Sequence, residues 1–207
     1  MNREKSHLIA MLRSRAADVG TVVAEVDNLA EALDYALKVT REKAPLEPLL
    51  PLPESGRDEV RRVLAAPGLS PQILAGLADR GEVMGITVIG GNLRGHLAGV
   101  DVGFSVAELI LAETATAVLA APGEDERLAG MISEIHVVAA DCSRLVETSY
   151  EAEGFLEEIL GGPMYAAFIS GSSRTSDIER VLTTGVHGPL EMHLVLMKGL
   201  ANGITGL

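Results

Sequence analysis

The chain has 207 residues, enough for one domain that buries roughly 70% of the surface its unfolded form exposes. Asp and Glu outnumber Lys and Arg by 29 to 17, a formal net charge of −12, and no basic stripe with interleaved aromatics appears, which argues against nucleic acid as a partner. The single cysteine, Cys142, cannot form an internal disulfide or hold an iron–sulfur cluster or structural zinc by itself, which points to the cytoplasm, and no apolar run approaches bilayer-spanning length, so no membrane span is expected.

Trp is absent and Tyr and Phe number three each, so the core must be aliphatic. Leu8, Ile9, Leu12 and Ala16 recur at helical spacing and predict an opening helix that ends near Gly20. Residues 21–26 read as a strand, after which Asp27 or Asn28 caps a helix with the apolar stripe Leu29, Ala32, Leu33, Ala36, Leu37 and Thr40. Pro45, Pro48, Pro51 and Pro53 reduce the next apolar segment to an edge strand or an extended connector. Helices are predicted over 57–65 and 71–79, the second with Pro71 in its first turn.

Residues 86–89 resemble a buried strand broken by Gly90 and Gly91, and Gly95, Gly99 and Gly103 recur before another apolar stretch. Residues 109–112 and 116–121 read as two strands around the polar break Glu113-Thr114-Ala115. A short helix over 127–132, a buried strand over 135–139 and a helix over 149–160 follow, the last ended by Gly161, Gly162 and Pro163. The chain closes with the turn Gly185-Val186-His187-Gly188-Pro189, a strand over 191–197 and a glycine-rich, frayed tail.

The stretch with the densest signal is 166–180. An apolar run, Ala166-Ala167-Phe168-Ile169-Ser170, predicts a strand inside the sheet; it stops at Gly171, and Ser176 with Glu179 reads as a capping box that opens a helix. Such a strand–loop–helix aims backbone N–H groups and the hydroxyls of Ser172, Ser173 and Thr175 at one point, and Arg174 adds a planar cation suited to carboxylate or phosphate. Equally, Ser176 can simply cap its helix while Arg174 pairs with a carboxylate. Strands alternating with helices, with apolar runs that do not alternate in polarity, predict an α/β fold whose mostly parallel sheet is covered by helices on both faces. In such a sheet ligands sit beyond the carboxyl ends of the strands, which is where the loop 171–176 is expected.

Three further groups carry chemistry. Glu113, Thr114 and Thr116 put a carboxylate and two hydroxyls at a strand break, a plausible rim for a polar ligand, although threonines in strands usually only pack. His187, between glycines, is the candidate acid or base, or a ring that hydrogen-bonds its own turn. Glu191 and His193 share a strand face near His187 and form a minor alternative as metal ligands; the primary expectation is that the chain binds no metal.

Phe168-Ile169-Ser170-Gly171-Ser172-Ser173-Arg174-Thr175-Ser176-Asp177-Ile178-Glu179, the turn 185–189 and Glu191-Met192-His193-Leu194-Val195-Leu196 resemble the carboxyl-terminal signature of the LUD-domain family, lactate-utilisation C type. Ala112-Glu113-Thr114-Ala115-Thr116 and Ile135-His136-Val137 resemble two further family stretches, so the resemblance covers about residues 100–197 and is generic over 1–84. The sequence departs from the family pattern at Ala115, where glycine is usual, at Ser172, where proline is common, and at Ser133-Glu134, where prolines often stand. The resemblance implies a single LUD-type domain over 1–207 with a fold like that of the NagB/RpiA/CoA-transferase group. It implies an accessory role in oxidising L-lactate to pyruvate beside subunits that carry the iron–sulfur clusters, with no cofactor on this chain itself and with homo-oligomers open. Two alternatives are an enzyme acting alone on a carboxylated or phosphorylated metabolite, with Arg174 as anchor and His187 as acid or base, and a non-catalytic regulatory or structural module.

Overall fold

The computed structural model describes residues 3–44, 62–96, 99–161, 165–175, 183–184 and 188–199. Helix α1 (Arg3–Asp18), strand β1 (Thr21–Val26) and helix α2 (Leu29–Glu42) open the chain as expected, and the Asn28 side chain accepts the Glu31 N–H to cap α2. Then come β2 (Arg62–Ala65), α3 (Pro71–Val83), β3 (Ile86–Ile89) and β4 (Val100–Val106). The hairpin strands β5 (Leu109–Leu111) and β6 (Thr116–Ala121), helix α4 (Glu124–Ala129), β7 (Ser133–Asp141) and β8 (Leu145–Val146) follow. The chain continues through α5 (Glu153–Leu160), β9 (Tyr165–Ser170), β10 (Arg174–Thr175), β11 (Thr183–Thr184) and β12 (Glu191–Met197).

Six strands form a wholly parallel sheet in the order β1-β12-β7-β4-β2-β3. Its faces follow from the two-residue period of a strand. Val195, Met197, Val137, Ala139, Val102 and Phe104 meet α2 and α3 on one side, through Leu33, Leu37 and Leu77. Leu194, Leu196, Val138 and Ala140 meet α1 and a second sheet, β8-β5-β6-β9, on the other. Both faces are therefore dry, which is why the strands read as continuous apolar runs. Phe104 is fully buried among leucines, isoleucine and methionines, so the core is aliphatic as composition required.

At the amino ends of the strands a buried cation fixes three elements. Lys43 Nζ lies 3.1 Å from Asp101 Oδ1 and 2.5 Å from Glu134 Oε2, while Asp101 Oδ2 accepts the Val63 N–H at 2.7 Å. Lys43 and Asp101 are almost completely buried, so each charge is held by its partner instead of by water.

Several sequence expectations need correction. Residues 62–65, expected to end a helix, form β2: Val63 and Leu64 are β-formers, and the strand is sandwiched between β3 and β4. Residues 57–61 and the proline segment 45–53 lie outside the described residues. Helix α4 starts three residues earlier than expected; α5 starts four residues later, where Ser149 and Tyr150 accept turn hydrogen bonds from Ala152 and Glu153 ahead of the first regular turn. The largest change concerns β9. It was expected inside the parallel sheet, but it ends the order of the second sheet and pairs antiparallel with β6, with Tyr165 and Phe168 exposed. An unalternating run of small apolar residues cannot distinguish a central strand from one whose outer side chains rim a groove.

β4 and β7 carry a close contact that the sequence marks only by Gly103. A methyl group on that residue would fall 2.0 Å from the Ala129 carbonyl oxygen at the end of α4, which also accepts the buried Ser133 hydroxyl at 2.6 Å. Gly103→Ala should therefore destabilise the fold by about 1–3 kcal/mol or more in urea unfolding, because backbone must move to admit the methyl. An unchanged midpoint would show that α4 is not seated as described.

Candidate functional site

Gly171 follows β9 with φ +81° and packs on Val19, whose carbonyl oxygen would lie 2.8 Å from any Cβ at that position. Val19 lies two residues ahead of β1, so this loop sits at the amino ends of the parallel strands, opposite to the end expected for it. The position follows from β9 running antiparallel to β6 in the second sheet. Arg174 and Thr175, expected as loop, form β10 and pair with Thr184 and Thr183. Ser176 and the helix predicted from it, together with His187, lie outside the described residues.

The loop divides its side chains between two environments. Gly171 and Ser173 line a groove of about 380 Å³ together with Arg127, Gly130 and Met131 and with Tyr165, Phe168 and Pro189. The Ser173 N–H donates to the Pro189 carbonyl at 2.8 Å, tying the loop to the residues just ahead of β12. Arg174 turns the other way: its Nε donates to Ser172 Oγ at 3.4 Å and its guanidinium lies against Gly20, where a Cβ would stand 2.7 Å from Nη2. Arg174 is exposed.

Thr114 and Thr116 are brought together with Ser170. Thr116 Oγ1 lies 2.7 Å from Thr114 Oγ1 and 2.6 Å from Ser170 Oγ, and Thr116 is paired with Ser170 across the β6–β9 ladder. Ala115 between the threonines takes φ +50°, the left-handed conformation in which glycine is at ease. Glu113 is exposed in the same turn, its N–H donating to the Glu147 carbonyl at 3.0 Å.

Glu191 and His193 do share a face, and the structure adds Tyr35 from α2. Glu191 Oε1 accepts from His193 Nε2 at 2.8 Å, so on a neutral ring Nδ1 accepts from the Tyr35 hydroxyl, also at 2.8 Å. Burial, reinforced by Glu191 and Glu42, raises the Tyr35 phenol above its ordinary value and keeps it a donor. Both ring nitrogens of His193 are thus engaged by protein groups, and among the described residues no cluster of three or more His, Cys, Asp or Glu side chains could hold a metal ion.

Sequence reasoning missed a second polar centre. Across the β4–β7 pair Gly103 stands opposite His136, and Ser105, two residues on, shares its face. Ser105 Oγ is 3.0 Å from His136 Nε2. His136 is fully buried behind Gly130, its Nδ1 has no hydrogen-bond partner among the described residues, and burial pushes its pKa down to about 4. The signals in the sequence were the family-like stretch Ile135-His136-Val137, a histidine inside an apolar strand, and a glycine two residues before a serine in another.

Comparison with known proteins places this geometry in a family. Residues 9–197 match the LUD domain model, and the chain belongs to the LUD-domain family. It is similar to an uncharacterised protein of Neisseria meningitidis, 32% identical over 109 residues, covering 51% of this chain and 45% of that one. It is also 32% identical over 104 residues to lactate utilization protein C of an Exiguobacterium strain, covering 48% of this chain and 45% of the relative. The chain thus matches about half the length of these curated relatives. The crystal structure of a DUF162-family protein from Deinococcus radiodurans superposes with a TM-score of 0.61 at 16% identity, covering 93% of this chain and 98% of that one, and shares the fold.

His136 gives the site a pH signature. Its proton affinity is lower folded than unfolded, so its contribution to stability is full above about pH 6.5 and is lost as pH falls from there toward about 4. The expected loss is about 3 kcal/mol by pH 4, and His136→Gln should flatten that part of the profile in urea unfolding. A slope over pH 4–6.5 that is the same in the variant would assign it to other groups.

Proposed function

We propose that the chain is an accessory subunit for L-lactate utilisation, non-catalytic alone, acting beside subunits whose iron–sulfur clusters carry out the oxidation of L-lactate to pyruvate. The observation that carries this reading is the similarity to relatives named lactate utilization protein C, within a shared LUD family. The chain's own thiol chemistry supports the division of labour. Cys142 is the one cysteine in the sequence, it is buried, and burial raises its thiol above the ordinary value, which disfavours the thiolate that ligates metal. The exposed Met131, Tyr165 and Phe168 around the groove suit contact with such a subunit.

The reading includes a small-anion site at the loop 171–176. Its support is the exposed guanidinium of Arg174 beside the Ser172 hydroxyl. A charge-assisted hydrogen bond from Arg174 contributes about 1.5–3 kcal/mol, so Arg174→Ala should weaken binding of phosphate or L-lactate by roughly 10- to 100-fold in calorimetric titration. A large fall in unfolding free energy with unchanged affinity would make Arg174 a structural residue and remove the site.

The role itself is tested by deletion in the native host. Growth on L-lactate should stop, growth on pyruvate should continue, and tagged protein from lactate-grown cells should carry iron-containing subunits with it. Undiminished growth on L-lactate would overturn the proposal.

A further inference from the structure

The second sheet leaves a strand edge open. β9 ends the order β8-β5-β6-β9, and among the described residues it pairs on one side only, with β6. Which of its backbone groups face outward follows from β6. The Val118 carbonyl accepts the Glu108 N–H at 2.9 Å, so Val118 points its main-chain groups at β5. Main-chain groups alternate sides along a strand, so Ala117, Leu119 and Ala121 turn theirs to β9, and their partners Ile169, Ala167 and Tyr165 turn back to β6. Ala166 and Phe168 therefore present N–H and C=O to the open edge.

The groove of about 380 Å³ runs along this edge. Five consecutive β9 residues, 165–169, line it, although successive side chains of a strand point to opposite faces. Consecutive lining residues are what a strand shows along its edge. Arg127 and Met131 line the groove as well, and the Arg127 Cζ lies 5.4 Å from the Tyr165 ring centroid, which engages that cation. Open edges are ordinarily blunted by a charged side chain or a proline. The run Tyr165-Ala166-Ala167-Phe168-Ile169 carries neither, so its edge is left able to pair.

We propose that β9 accepts an extended, net-basic segment of a partner protein as an additional strand, with main-chain bonds to Ala166 and Phe168 and alternate side chains in the groove. Two observations choose this occupant. Tyr165, Phe168 and Met131, each half exposed or a little more, offer roughly 300 Å² in all, well under the ~800 Å² that each side of a stable protein pair contributes. An extended segment needs less, because its affinity comes from main-chain hydrogen bonds. The net charge of −12 repels a second copy of the chain and attracts a basic segment. The inference rests on the accessory-subunit reading and deepens it by naming how the partner subunit is held.

The probe is an end-blocked heptapeptide of alternating lysine and valine, titrated into the full chain and read by amide hydrogen exchange. The expected result is a saturable slowing of exchange, about tenfold or more, at the amides of Ala166 and Phe168. Ala166→Pro removes one outward donor and should raise the Kd about tenfold with the fold kept, whereas Ala167→Pro breaks the β6 ladder and should lower the urea midpoint. Matched peptides with glutamate in place of lysine, or N-methylated at every residue, should not bind; if Ala166→Pro does not fold, these two controls decide on the unaltered chain. No saturable slowing, or equal binding of either control, would overturn the proposal. So would protection that grows with protein concentration in the absence of peptide, which would make a second copy the occupant. Iron-containing subunits that co-purify undiminished with the folded Ala166→Pro variant would remove strand addition and leave the accessory reading standing. Undiminished growth on L-lactate after deletion, with the peptide still bound, would remove the accessory reading alone.

Discussion

The contact on which the rest of the molecule depends is the one between the Ala129 carbonyl and the bare Cα of Gly103. Because Gly103 has no side chain, the end of α4 comes down onto β4, where the Ser133 hydroxyl holds the same carbonyl oxygen from β7. Gly130, the next residue, lies against the His136 ring, which reaches Ser105 across the β4–β7 pair. Glu126 of α4 and Leu119 and Ala121 of β6 line both the groove beside the loop 171–173 and a smaller cavity of about 120 Å³ at the carboxyl ends of β2 and β4.

The two ends of the parallel sheet have opposite chemistry. At the amino ends, polar groups are matched to one another: Lys43 with Asp101 and Glu134, Tyr35 with His193 and Glu191. Such groups are already satisfied, and they fix α2 against β4, β7 and β12. At the carboxyl ends of β2 and β4, Ser105, Glu108 and Glu126 line a small cavity whose other walls are apolar.

How much of this was legible in the sequence follows from the range of each interaction. Elements set by local pattern were readable: β1 and β12 have the expected bounds, the Asn28 cap and the position of Pro71 in α3 are as read, and the two strands around Glu113 form a hairpin. The α/β class followed from unalternating apolar runs. The assignment of β9 to a sheet was not readable, since its run, Ala166-Ala167-Phe168-Ile169, has the same composition wherever it pairs. Nor was the pairing of Ser105 with His136, because 31 residues separate them and only the register of β4 with β7 brings them together. Tyr35 and His193 are 158 residues apart and were invisible for the same reason.

The threonine motif shows how a family pattern acquires a physical cause once the backbone is known. Ala115 stands where LUD proteins usually have glycine, and its φ of +50° gives a reason that needs no ligand: the turn between β5 and β6 requires the left-handed region. An alanine there costs roughly 1–2 kcal/mol in backbone strain, offset in part by burying its methyl, since Ala115 is inaccessible to solvent. The turn also places the Thr114 and Thr116 hydroxyls side by side, and Thr116 then reaches Ser170 on β9. The pair of threonines therefore fastens β6 to the strand that carries the loop 171–173. Its effect on any ligand at that loop would pass through the position of β9, not through direct contact by the hydroxyl of Thr116, which is buried and already has two partners.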